Sequence, residues 1–124
     1  MPSNNLKTGF VRNYSNQHDF TADRIYHSGE IIQVLGRIGI VSGERQAQIG
    51  DQVGVCFDRM VEVTKRDPAT AFVKGDDVGY HDHTVAANPM TADAGGAGTF
   101  DIGMAVEDSP AGHPTVKVIF PYGS

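Results

Sequence analysis

The sequence is poor in cysteine and leucine and has no tryptophan. Its 124 residues include one Cys, so no internal disulfide can form and a disulfide-framed secreted domain is excluded. No apolar run approaches the roughly 20 residues of a membrane-spanning helix. Residues 1–10 also lack the apolar stretch of a secretion signal. We therefore expect no signal peptide and no membrane partner.

Positive charge is also scarce. Ten Lys and Arg residues stand against 15 Asp and Glu residues, which gives a formal net charge of −5. Nucleic-acid-binding domains normally present a basic face, and no basic or aromatic stripe occurs here. A phosphate-binding loop is excluded as well, because Lys74 precedes Gly75 and no Lys follows a glycine-rich stretch in the required order. Nucleic acid is therefore not an expected partner.

The apolar residues that are present are mostly β-branched. Val and Ile number 13 and 8, against 2 Leu, and 15 Gly accompany them. Branched side chains are stiff at χ1 and suit a pleated sheet better than a helix. A length near 120 residues suits one domain. The composition predicts a single all-β domain.

Alternation of apolar and polar residues predicts short strands that each bury one face. In one of these, Phe100, Ile102, Met104 and Val106 are expected to face inward together. The residues Asp58-Arg59 are expected to form a hairpin turn between two of the strands. The predicted strands are 30–35, 38–41, 52–57, 60–64, a strand through 78–80, 99–106 and 115–120.

Three Gly-acid pairs, Gly29-Glu30, Gly50-Asp51 and Gly75-Asp76, each precede a predicted strand. Glycine permits a tight turn and the acid accepts local backbone hydrogen bonds, so we interpret the pairs as repeated turn chemistry. Residues 67–74 are the only candidate helix and could equally form an irregular turn. Residues 92–98 (ADAGGAG) are expected to form a flexible loop.

His81 and His83 are the best metal candidates, because residues i and i+2 of a strand point the same way. A third ligand would have to come from His18, His27 or His113, and no spacing selects one. The two histidines fall opposite Val78 and Tyr80, which predicts exposed side chains and no metal. Cys56 lies within a predicted strand and is expected to be inert. No cofactor and no catalytic residue are predicted.

Residues 1–20 are rich in Asn, Ser and Gln, which compete with regular structure for backbone hydrogen bonds. Phe10, Val11, Tyr14 and Phe20 are spaced along this polar segment. We expect residues 1–20 to form an extended arm that docks elsewhere, and residues 21–124 to form the folded domain.

The ordered series of motifs resembles the tailed-phage capsid decoration, or cement, proteins. The series includes SGEIIQVLGRIGIV at 28–41 and, after a glycine-rich variable loop, an Ile-Gly-x-Ala-Val-Glu strand at 102–107. The matching segments are 18–22, 28–41, 49–55, 61–65, 73–80, 102–107 and 115–118.

The resemblance implies a small β-barrel or β-tulip-like domain without catalysis. It implies a virion protein that binds the outside of the expanded capsid, often as a homotrimer, and stabilises contacts between major capsid protein subunits. Assembly in the host cytoplasm suits the lone Cys, and Phe10, Val11, Tyr14 and Phe20 are expected to anchor the arm on the shell. Two alternatives stay open: a metal-dependent small-barrel enzyme that uses His81 and His83, and another virion part such as a tail, head-fibre or neck subunit.

Overall fold

The computed structural model describes residues 17–57, 59–96 and 98–121, and their structure is all-β, as predicted. Within those ranges no helix forms, and thus none has the length and apolarity that crossing a membrane requires. The strands are β1 (Gln17–Thr21), β2 (Ile31–Val34), β3 (Arg37–Ser42), β4 (Gln52–Phe57), β5 (Met60–Thr64), β6 (Asp77–His81), β7 (Thr91–Asp93), β8 (Thr99–Ala105) and β9 (Thr115–Ile119).

The strands form two antiparallel sheets. The four-stranded sheet has the order β1-β4-β3-β2, and the five-stranded sheet has the order β5-β9-β8-β6-β7. The hydrogen-bonded ladders of the described strands do not close into a barrel. The barrel or tulip-like closure therefore stays a prediction.

Alternation produces the core of each sheet. In β4, Val53, Val55 and Phe57 are buried, as predicted, and they belong to the smaller of two apolar clusters. The larger cluster lies on the five-stranded sheet. Ile31 and Ile32 join the two, because successive strand residues point to opposite faces: Ile31 packs in the larger cluster and Ile32 in the smaller. Strand β3 does the same with Ile38 and Val41, so the two sheets meet along β2 and β3.

No hairpin joins β4 to β5, so the hairpin predicted at Asp58-Arg59 is wrong, although Asp58 itself lies outside the described residues. Strand β4 pairs with β1 and β3, whereas β5 pairs with β9 in the other sheet. Two neighbouring segments with alternating apolar residues are the usual sequence pattern of a hairpin. In the structure, however, the apolar side chains of β4 pack in the smaller cluster and those of β5 in the larger one. The chain changes sheets at this point.

The predicted inward face of residues 99–106 is half right. Ile102 is fully buried, but Met104 is 49% exposed and Ala105 takes the inward position. The pairing of β6 with β8 shifts register between Val78 and Gly79, which leaves Ile102 as an extra residue on β8. Such a bulge reverses the alternation that follows it.

The three Gly-acid pairs share one turn geometry, as predicted. In each turn, the backbone amide of the acidic residue donates to the backbone carbonyl of the residue three positions earlier. The carboxylate of the acidic residue in turn accepts from the backbone amide of that earlier residue. The residue pairs are Glu30 with His27, Asp51 with Gln48, and Asp76 with Val73. The intervening glycines have φ between 83° and 94°, a region that other residues rarely adopt.

Residues 67–74 form an irregular turn, the second of the two structures expected, and the Asp67 carboxylate accepts from the Ala69 amide. The turn lies over Lys65, whose side chain is buried beneath it. The Lys65 ammonium donates to the carbonyls of Thr70, Ser109 and Pro110 at 2.7, 3.2 and 3.1 Å. One ammonium thus ties two connecting segments to the end of β5.

Replacing Lys65 by Met is expected to lower the free energy of unfolding by about 2 kcal/mol, because hydrogen bonds to a charged donor are lost while the apolar stem is kept. Denaturant unfolding monitored by circular dichroism measures the loss. Lys74→Met, at an exposed position, is the control and should change stability by less than about 0.5 kcal/mol. Equal stabilities of the two variants would contradict the role given to Lys65.

The loop predicted at residues 92–98 is shorter than expected, because its first two residues belong to a strand. Ala92 is fully buried and, with Asp93, belongs to β7, which pairs with β6. The loop proper begins at Ala94. A three-residue strand at a sheet edge has too little alternation to be detected in sequence.

Candidate functional site

A buried carboxylate lies where the two sheets meet. Glu30 is 1% exposed and directly precedes β2. The Arg24 guanidinium donates two hydrogen bonds to the Glu30 carboxylate, from Nη1 to Oε1 at 3.3 Å and from Nη2 to Oε2 at 2.8 Å. The His27 amide also donates to Oε1, at 3.1 Å. His83, which follows β6, places its Nδ1 3.4 Å from Oε2. Glu30 therefore links the four-stranded sheet to a loop of the five-stranded one.

The cluster borders an open pocket of about 340 Å³ between the sheets. Phe20, Tyr26 and Phe100 supply aromatic walls, and the Arg24 guanidinium lies 3.8 Å from the Tyr26 ring centroid. Arg24 hydrogen-bonds to both oxygens of Glu30, so the two side chains form a largely buried ion pair beside the pocket. Arg24, Glu30 and His83 thus line the pocket and hold neighbouring segments together there.

Tyr80 lies beside this cluster and is 1% exposed. Its hydroxyl oxygen accepts a hydrogen bond from the Ile31 amide across the sheets at 3.3 Å. Burial, with a smaller contribution from the Glu30 charge, raises the pKa of Tyr80 to about 12. The neutral phenol is therefore the form that the fold accommodates.

Stability should fall as the pH rises from about 10 toward 12. Below pH 10 Tyr80 is neutral in both states; above it the unfolded chain releases the proton while the folded chain retains it, which favours unfolding. The loss should approach about 2 kcal/mol over this interval. Denaturant unfolding from pH 8 to 11.5 measures it. Tyr80→Phe should show a shallower decline, and parallel curves for both proteins would refute the assignment.

His81 and His83 do not converge. His81 Nε2 donates to Asp93 Oδ2 at 3.0 Å, whereas His83 faces Glu30. The expected exposure of His81 is wrong: it is 7% exposed, because its strand is covered on both faces, and its hydrogen bond lowers the pKa of Asp93. Over the described ranges, no three His, Cys, Asp or Glu side chains gather in a way that suits a metal ion. Metal analysis of the purified protein would test the enzymatic alternative directly.

The predicted arm residues are only partly described. Phe10, Val11 and Tyr14 lie outside the described residues. Phe20 lies in β1, paired with Val53 of β4, and its ring meets Tyr26 edge to face at 5.3 Å. Part of the predicted arm, residues 17–20, thus belongs to the four-stranded sheet. Whether Phe20 also helps anchor an arm stays a prediction.

An apolar surface that the sequence did not reveal crosses the outer face of the five-stranded sheet. Met60, Ile119 and Met104 lie side by side in register on β5, β9 and β8, with exposures of 62%, 43% and 49%. We call these three residues the apolar row. Ile119 and Met60 could have been suspected, since alternation in their own strands points both of them away from the buried valines.

Comparison with known protein families decides the broad identity. The family model described as phage cement protein matches residues 12–120. The chain belongs to the phage cement protein family. This confirms the resemblance seen in the sequence and implies a structural, capsid-binding component of the phage virion. Comparison with curated proteins and with solved structures gave no significant match.

Proposed function

We propose that this cement protein binds the outer surface of the expanded phage capsid and stabilises contacts between major capsid protein subunits. The observation that carries the proposal is the family match over residues 12–120, nearly the whole chain. The role is structural rather than catalytic. A two-sheet domain whose sheets are joined by the contacts of Glu30 with His83 and of Ile31 with Tyr80 suits a clamp, because a clamp must hold its shape under load.

Simultaneous binding at several equivalent capsid sites would make individually weak contacts add up to tight binding of the cement protein. A capsid lattice offers many equivalent sites, and a homotrimer would bind several of them at once. Linking binding modules raises their effective concentration to the millimolar range, so occupancy can exceed what one contact supports. We therefore propose a trimeric decoration protein.

The charge of the chain supports the exterior placement. A formal charge of −5 suits a coat that faces away from packaged DNA and does not bind it. The free thiol of Cys56 suits assembly in the reducing cytoplasm of the host. Neither feature favours a position inside the shell.

The N-terminal segment would add a second attachment. We propose that Phe10, Val11 and Tyr14, with Phe20 at the base, help to anchor residues 1–16 on the shell. Ordering a polar segment costs entropy, so the spaced apolar residues would supply the compensating burial. Such an arm would strengthen binding without any change in the folded domain.

Binding to expanded capsids that lack the cement protein tests the proposed function. Added chain should co-sediment with them, reach hundreds of copies per particle and raise the temperature at which they rupture. A copy number of about a dozen or fewer would instead favour a tail or neck subunit. Absence of co-sedimentation would overturn the proposal.

Deleting residues 2–16, which stops short of β1, should weaken capsid binding at least tenfold and leave the unfolding temperature of the domain unchanged. Co-sedimentation over a concentration series measures this. Tyr14→Ser should weaken binding, whereas Asn13→Ser is the matched control and should not. Undiminished binding of the deletion variant would refute the arm.

A further inference from the structure

The apolar row is presented by a specific distortion of the sheet. Strict alternation along β8 would turn Met104 inward, but the bulge at Ile102 turns it outward beside Ile119. Gly103, with φ of 134°, sits in the bulge, and its amide donates to the Asp101 carboxylate at 3.1 Å. Bulges are known to re-aim side chains at functional positions.

A groove of about 340 Å³ runs beside the row. Its apolar lining comes from Met104, Ile119 and the chain that leaves β9 at Phe120 and Pro121. Methionine side chains are flexible and polarisable, and they adapt to a partner's shape. The groove and the row together form a surface into which an apolar side chain can insert.

Acidic groups border this surface. Asp77 is the cross-strand neighbour of Met104, and Asp77 and Asp101 both line the groove. Neither carboxylate takes part in an ion pair with another residue of the described ranges. Two cations lie farther along the row: Lys117 is 3.4 Å from Glu107, and the exposed Arg59 directly precedes Met60. The surface is therefore apolar at its centre and negative at its Met104 end, where Asp77 and Asp101 line the groove.

This charge pattern selects the partner. A second copy of the chain docked face to face across a two-fold axis would bring Asp77 and Asp101 against their own counterparts, and like charges at an interface are unfavourable. A segment with an apolar side chain next to Lys or Arg fits both the groove and its border. We propose that the apolar row and its acidic border receive such a segment of the major capsid protein. This inference rests on the proposed capsid-binding function.

The test uses the full-length chain and expanded capsids that lack the cement protein. The triple variant Met60→Ser, Met104→Ser and Ile119→Thr should bind at least tenfold more weakly, with unchanged unfolding temperature and oligomer mass. The matched control replaces three apolar residues that are exposed elsewhere, Leu35→Ser, Ile49→Thr and Val73→Thr, and should bind normally.

A second variant tests the charge. Asp77→Lys should weaken binding and reduce its dependence on salt concentration, because a steering attraction becomes a repulsion. Glu44→Lys makes the same change of charge at an exposed loop position and serves as its control. Equal binding of Asp77→Lys and Glu44→Lys would overturn the role of the acidic border.

The outcomes separate this inference from the proposed function. Failure of the unmodified chain to bind capsids overturns the proposed function, and the inference with it. Normal binding of the unmodified chain and of the triple variant overturns the inference alone. A triple variant whose oligomer mass falls in ultracentrifugation would assign the row to contacts between copies of the chain, which also overturns the inference.

Discussion

Replacing Glu30 by Gln is expected to lower the free energy of unfolding by about 3 kcal/mol, a substantial fraction of the roughly 5–15 kcal/mol that stabilises a typical domain. Glu30 is 1% exposed and receives two hydrogen bonds from Arg24. Gln keeps the shape of the side chain but not its charge, so the Arg24 guanidinium loses its counter-ion in a partly buried place. The effect should also loosen the contact between the sheets, because His83 faces the same carboxylate.

Denaturant unfolding of Glu30→Gln beside Glu44→Gln measures this loss. Glu44 is exposed, so its variant should lie within about 0.5 kcal/mol of the unmodified chain. The double variant Arg24→Met with Glu30→Gln should lose less than the sum of the two single variants, since no uncompensated charge is left. Strict additivity would show that the pair does not act as a unit.

Replacing Gly103 by Ala should cost about 4 kcal/mol, which is exceptional for the addition of one methyl group. A Cβ at this position would fall within contact distance of the Ile119 carbonyl oxygen and lie 2.9 Å from the Ile119 carbonyl carbon. The obstacle is backbone of the paired strand β9, which cannot move aside as a flexible side chain would. The φ of 134° is also one that residues with a Cβ rarely adopt.

Gly112→Ala separates the two causes. Gly112 has a positive φ of 94°, but a Cβ there would meet nothing within 4 Å. Its variant should lose only the cost of backbone strain, about 1 kcal/mol. Thermal unfolding of both variants measures the difference. If Gly103→Ala is no less stable than Gly112→Ala, the close approach of β8 and β9 is not rigid.

Features with a local cause could be predicted from the sequence. The all-β class follows from the excess of β-branched residues, and the buried faces of β4 and β9 follow from alternation. The Gly-acid turns were predicted as well, because every hydrogen bond that defines them lies within four residues. The family resemblance rests on the order of these same local motifs.

Features that depend on the pairing of distant strands could not be predicted. The hairpin prediction failed because alternation states which face of a strand is buried but not which strand lies beside it. The outward Met104 depends on a bulge opposite Val78 and Gly79, two positions more than 20 residues earlier in the chain. His81 is buried because both faces of β6 are covered, which no pattern within β6 records.

The candidate sites show the same division. Glu30 reads in sequence as one more turn acid, and its carboxylate does accept from the His27 amide as the other two acids do from theirs. Its burial against Arg24 and His83 depends on where β2 meets the five-stranded sheet. The apolar row likewise brings together residues 60, 104 and 119 only through strand register.

The sequence by itself determined the fold class through its composition and the repeated turns through contacts between near neighbours. It also determined membership of the phage cement protein family, through the order of its local motifs. The tertiary structure alone decided the division into two sheets, the buried ion pair and the exposed apolar row. These depend on long-range burial and register, and many pairings of the same strands satisfy the local alternation equally well.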